Sequence, residues 1–135
     1  MKTVFVDTGA WMAMADARDP AHAASRRKRD ELLRDGGILL STDYVLDETL
    51  TLIRMRLGLE AAARWWAQTE GSSRLRWEWI DPMRAEKARR WFFQWKDKDF
   101  SFTDCTSFVV MKELHARLAL ATDDHFRQAG FEVAP

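Results

Sequence analysis

The stretch Lys98-Asp99-Phe100-Ser101-Phe102-Thr103-Asp104-Cys105-Thr106-Ser107-Phe108 decides how the chain is read. Ser101 followed three residues later by Asp104 is the S-x-x-D pattern of a helix start, so a helix is predicted over 104–114. Working outward, three more acids stand in related places. Asp7 directly follows the apolar run Val4-Phe5-Val6, and Asp123 follows Leu120-Ala121-Thr122. Glu48 falls in the first two turns of a helix that leaves the run Ile38-Leu39-Leu40.

The runs around these acids have the lengths and turn residues of buried strands. Strands are predicted at 4–6, 38–40, 74–80, 118–121 and 131–133. Helices are predicted at 10–15, from Asp19-Pro20 to Gly36-Gly37, from the Ser41-Thr42 cap to Gly58, and over 59–70. Further helices start at Asp81-Pro82 and at Asp123. The predicted buried stripes are Leu46, Leu50, Ile53 and Leu57 on one helix, and Leu59, Ala62, Ala63 and Trp66 on the next. Ala88, Trp91, Phe92 and Trp95 form a third. Strands alternating with helices imply an α/β fold with parallel pairing through right-handed crossovers. The segment 74–80 differs by alternating: Leu75, Trp77 and Trp79 face one way and Arg74, Arg76 and Glu78 the other. That pattern suits a sheet edge.

A length of 135 residues fits one domain, 1–135, around one core. A formal net charge of zero provides no global field for nucleic acid or a membrane. An anionic substrate would need a local basic patch or a metal. One cysteine, Cys105, excludes an internal disulfide framework and fits a reducing cytoplasm. The opening Met-Lys-Thr-Val-Phe-Val-Asp is charged too soon for a signal peptide. No apolar run reaches the ~20 residues that span a bilayer.

In open parallel sheets, ligands bind outside the carboxyl ends of the strands. The four acids belong at that edge. Singly, each has an ordinary explanation: Asp104 in a capping box, Asp7 and Asp123 as N-caps, Glu48 on a solvated helix face. Together they carry a cost. Two carboxylates about 4 Å apart repel by roughly 4 kcal/mol at an effective dielectric near 20. Several such pairs are too much for a domain stable by about 5–15 kcal/mol. Either the acids protonate or a divalent cation sits among them. All-oxygen donors favour hard ions, Mg²⁺ or Mn²⁺, and such an ion points to phosphodiester hydrolysis.

Taken in order, several marks resemble a PIN domain, of the VapC type of ribonuclease toxin from bacterial toxin–antitoxin pairs. They are Val4-Phe5-Val6-Asp7-Thr8-Gly9, Glu48 within Asp43-Tyr44-Val45-Leu46-Asp47-Glu48-Thr49, and Ser101 through Phe108. Thr122-Asp123-Asp124-His125-Phe126 and Gln128-Ala129-Gly130-Phe131 complete the set. The resemblance implies a five-stranded, mostly parallel sheet flanked by helices, and a Mg²⁺- or Mn²⁺-dependent endoribonuclease. It implies metal-binding acids at Asp7, Glu48, Asp104 and Asp123, with Thr8 and Asp99 in support. It also implies an RNA substrate, an antitoxin partner and a homodimer in the cytoplasm. One position departs from the pattern. Relatives often carry Thr or Ser two residues before the last acid, and here it is Ala121, so Thr122 would have to supply the hydroxyl. The alternative is a PIN-like module that binds RNA or protein through a weakened site.

His125 reads as part of a helix start, with Phe126 packing inward. Arg26-Arg27-Lys28-Arg29 and the group Arg84, Lys87, Arg89 and Arg90 read as solvated faces and as the available sources of phosphate contacts. Trp65 and Phe93 fall off the buried stripes of their helices. They mark a partner surface unless a neighbouring helix covers them.

Overall fold

The structure, a computed structural model, describes residues 2–135. Its elements in chain order are β1 (Thr3–Val6), α1 (Thr8–Ala15), α2 (His22–Arg34), β2 (Ile38–Thr42), α3 (Asp43–Leu57) and α4 (Leu59–Glu70). They continue with β3 (Leu75–Glu78), α5 (Pro82–Gln94), α6 (Phe102–Glu113), β4 (Leu118–Leu120), α7 (His125–Gln128) and β5 (Glu132–Ala134). The five strands form one sheet in the order β3-β2-β1-β4-β5, and every pairing is parallel. The expected α/β architecture is therefore present, with β3 at an edge.

The central strands are apolar because both faces are covered: Val4, Phe5, Val6, Leu40, Ala119 and Leu120 are all buried. Right-handed crossovers place α1 to α4 on one face and α5 to α7 on the other. The first face is packed by tryptophans. Trp11 of α1 meets Trp65 of α4 edge-on at 5.5 Å and stacks on Trp77 of β3 at 6.3 Å. The second face is packed by phenylalanines: Phe108 of α6 lies edge-on to Phe126 at 5.0 Å and to Phe100 at 5.0 Å. Burying each large side chain stabilises the fold by about 2–3 kcal/mol before entropy is counted.

Local signals explain most of the boundaries. Thr42 caps α3, its Oγ1 accepting from the Val45 amide at 3.1 Å, and Gly58 ends that helix with φ +97°. Asp81 caps α5 through the Arg84 amide at 2.8 Å, with Pro82 at the first helical position. Several boundaries move, two of them for a visible reason. Asp19 accepts from the Ala21 amide in a turn, so α2 starts at His22 rather than at Pro20. β3 stops at Glu78 because its partner Thr42 is the last residue of β2. Asp43 Oδ1 then takes the Ile80 amide at 2.8 Å. Trp79 consequently leaves the sheet and is exposed, against the alternation that grouped it with Trp77.

The stripe predicted on α4 is rotated. Ala62, Trp65 and Thr69 are buried, while Leu59 and Ala63 are exposed. Trp65, expected as a partner contact, is 8% exposed because Trp11 covers it. On α3 the buried line is Val45, Thr49 and Ile53, with Leu46 and Leu50 packed beside it and Leu57 exposed. No helix among the described residues is long and apolar enough to cross a membrane.

Candidate metal centre

β1 pairs with β2 on one side and β4 on the other, so the chain's winding reverses between β1 and β4. A crevice opens outside the carboxyl ends of strands at such a reversal. Asp7 is the first residue past β1, and its amide donates to Leu120 O at 3.0 Å across that boundary. Ala121, Thr122 and Asp123 leave β4 beside it.

Asp7 occupies the N-cap position of α1, yet its side chain makes no capping hydrogen bond. It is 6% exposed. Burial, and after it the Asp104 carboxylate, push its pKa up to about 8. The Thr8 amide offsets part of this, and Asp123 and Glu48 add to the rise. Three acids from three other parts of the chain thus act on one buried carboxyl.

Asp104 combines both of its sequence readings. It closes a capping box as the third residue of α6: Ser101 Oγ accepts the Asp104 amide at 2.9 Å, and Asp104 Oδ2 accepts the Ser101 amide at 3.0 Å. The same Oδ2 accepts from His125 Nδ1 at 2.8 Å. Burial raises its pKa, the Ser101 amide and His125 pull it back, and Asp123 raises it again. Asp123 does not cap α7, since Asp124 holds that position. Its Oδ1 accepts the His125 amide at 3.0 Å, and its Oδ2 stands 3.7 Å from His125 Nδ1. Glu48 is exposed on the second turn of α3, in a shallow hollow with Tyr44, Asp47, Thr51 and Thr103.

His125 is the residue that the sequence reading left outside the site. The signal was the spacing Asp123-x-His125: an amide two residues past an acid can close an Asx turn, which turns that residue's own ring back onto the cluster. Thr8, buried, accepts from Thr49 Oγ1 at 3.4 Å, which links the start of α1 to α3 one residue past Glu48. Thr122 lies against Gly9 so closely that a β-carbon at residue 9 would run into its Oγ1. Asp99 sits in the exposed loop before α6. Among the described residues, no three acids or imidazoles stand close enough to enclose an ion as their side chains lie. The cluster is coupled by charge rather than closed into a cage.

The basic residues divide. Arg84 is committed to the fold, bridging Glu78 and Glu113 at 2.9 Å each, and Lys87 joins Glu113 at 3.6 Å. Arg90 pairs with Glu86 on the same helix at 2.7 Å. Arg89 is exposed, and Phe93 is exposed as expected, at 70%.

A family model described as "PIN domain" matches residues 4–132. The 23S rRNA-specific endonuclease VapC20 of Mycobacterium tuberculosis is 34% identical over 133 residues, covering 98% of each chain. The crystal structure of that toxin, described as cleaving the sarcin–ricin loop, superposes with a TM-score of 0.88 at 33% identity, over 98% of this chain and 99% of that one. The VapBC2 structure from Rickettsia felis, bound to a promoter DNA fragment, shares the fold with a TM-score of 0.70 at 12% identity, over 97% and 96%. The reversal of strand order, the acids beyond β1 and β4 and these likenesses agree: the chain belongs to the PIN-domain family.

Proposed function

We propose that this chain is a divalent-metal-dependent endoribonuclease, the toxin of a toxin–antitoxin pair, with residues 1–135 acting as one nuclease domain. The observation that carries the reading is Asp7: a buried carboxyl with no side-chain cap bond, raised to about 8 by burial and by three acids around it. A group in that state either keeps a proton or takes a cation. The donor set fits Mg²⁺ or Mn²⁺. It offers carboxylate oxygens, and the only thiol, Cys105, is buried, with burial and then Asp104 pushing it to about 11.

Asp7 and Asp104 would hold the main ion, and Glu48 and Asp123 would complete its surroundings. Glu48 and Asp123 are exposed enough to swing inward, which the open arrangement of the cluster requires. When bound, the ion supplies charge against a phosphoryl oxygen and lowers the pKa of a water. Thr8 and Asp99 support the acids, and Thr122 provides the hydroxyl that Ala121 lacks. Arg89, Arg90 and Phe93 are the candidate contacts for RNA or a partner. Identity of 34% across the full length with a 23S rRNA-specific endonuclease favours a ribosomal RNA hairpin as substrate. An antitoxin, a homodimer and a cytoplasmic location complete the proposal.

The test is cleavage of a 23S rRNA hairpin and of unstructured RNA in Mg²⁺ and in Mn²⁺, by wild type and by Asp104→Asn. Cleavage that needs the ion and is lost in the variant supports the reading. If both proteins leave every RNA intact in both ions, the chain is a binding module with the same fold.

A further inference from the structure

We infer that His125 is a positioning residue of the acid cluster, fixing the Asp104 carboxylate through Nδ1 and Asp123 through its backbone amide. The inference rests on the metal-site reading above. Its geometry stands on its own.

Asp104 Oδ2 accepts two hydrogen bonds, from the Ser101 amide at 3.0 Å and from His125 Nδ1 at 2.8 Å. The carboxylate oxygen is the acceptor, so the hydrogen is on Nδ1. With Oδ2 committed twice, the carboxylate is held in one orientation and Oδ1 is left for a ligand. Asp123 is held by the same residue: Oδ1 by the His125 amide at 3.0 Å, with Oδ2 3.7 Å from the ring nitrogen. One histidine therefore lies between two like charges from different elements.

The ring is itself braced. It stands edge-on to Phe100 at 5.9 Å and 80°, and Phe100 is buried edge-on against Phe108 in the core. Phe126, the next residue, packs on Phe5 and Phe108 and anchors α7. This is how a supporting residue sets a ligand's orientation: the core fixes the ring, the ring fixes Asp104, and the same residue's amide fixes Asp123.

The geometry makes a specific demand. Asn at 125 places an amide N–H near the position of Nδ1, whereas Gln places one near Nε2. Mn²⁺ affinity of the purified full chain, measured by calorimetry, separates them. We expect His125→Ala and His125→Gln to weaken Mn²⁺ binding by about 10–100-fold, and His125→Asn to stay within about threefold of wild type. Thermal unfolding checks that each variant folds. If His125→Ala does not fold, the Asn and Gln pair decides the question.

A second readout needs no metal. Nitrogen NMR of labelled histidine should show His125 protonated at Nδ1 in the neutral ring, and a proton at Nε2 alone overturns the inference. Equal Mn²⁺ affinity in wild type, Ala and Gln variants also overturns it, while leaving the metal site standing. Wild type that fails to bind Mn²⁺ overturns both the metal reading and this role.

Discussion

The two halves of the acid cluster are built differently. Asp7 and Asp104 are buried at 6% exposure each, locked by β1, by a capping box and by His125. Glu48 and Asp123 stand in solvent, and Asp123 is held by one backbone amide. The difference teaches where a site stores its energetic cost. Charge is expensive only where water is excluded, so the buried pair bears the desolvation and the outer pair is nearly free of it. A cation should relieve the inner pair far more than the outer.

The sharpest way to break the contrast is Asp7→Asn. RNA cleavage should fall by about 10³-fold, since charge stabilisation by a metal is worth several kcal/mol and each 1.4 kcal/mol is tenfold. Yet the metal-free variant should be more stable than wild type at pH 8, with Tm several degrees higher. A variant that loses both activity and stability would mean that Asp7 is structural.

The pH dependence sharpens the same point. Unfolded, the Asp7 carboxyl ionises near 4, and folded it ionises near 8. Below about pH 4 it is protonated in both states and costs nothing. Between about 4 and 8 folding must take up a proton, so its contribution destabilises the metal-free protein progressively as pH rises. Above about 8 the penalty is complete. Wild type and Asp7→Asn should have Tm values that diverge through this window in chelator and converge when Mn²⁺ is added. Parallel Tm profiles in chelator would remove the buried charge from the account.

For the outer pair, Glu48→Gln and Asp123→Asn should each lower cleavage by about 10–100-fold with Tm unchanged within about 2 °C, the pattern of groups that act on a ligand without supporting the fold. The smallest effect belongs to Gly9→Ala. The new methyl meets the tip of the exposed Thr122 side chain, which can rotate away. Stability should be equal or slightly higher, because alanine is the better helix residue by about 0.5–1 kcal/mol. Cleavage should fall a few-fold if the Thr122 hydroxyl serves the site, and Thr122→Ala should match it.

What the sequence carried follows the same division between local and distant causes. The strands were legible because Val4-Phe5-Val6 and Ile38-Leu39-Leu40 are apolar throughout, and burial on both faces demands that. The Thr42 cap and the Gly58 stop were legible because each acts within its own turn. The placing of the acids near one sheet edge was legible because each sits just past a strand or early in a helix. The face of α4 was not. Leu59, Ala62, Ala63, Trp65 and Trp66 offer two competing stripes, and Trp11, on another helix, selects between them. His125 was hidden for the same reason: its main partner lies 21 residues earlier in the chain. Trp79 misled because its alternation continues beyond the point where β2 can pair with it.

The reversal of strand order between β1 and β4 has a consequence for synthesis. Asp7 is made well before α6 and β4, which bring Asp104 and Asp123 to it. A partly translated chain has no assembled cluster and so cannot cut. The cutting site therefore comes into being only once β4 and α7 have been made.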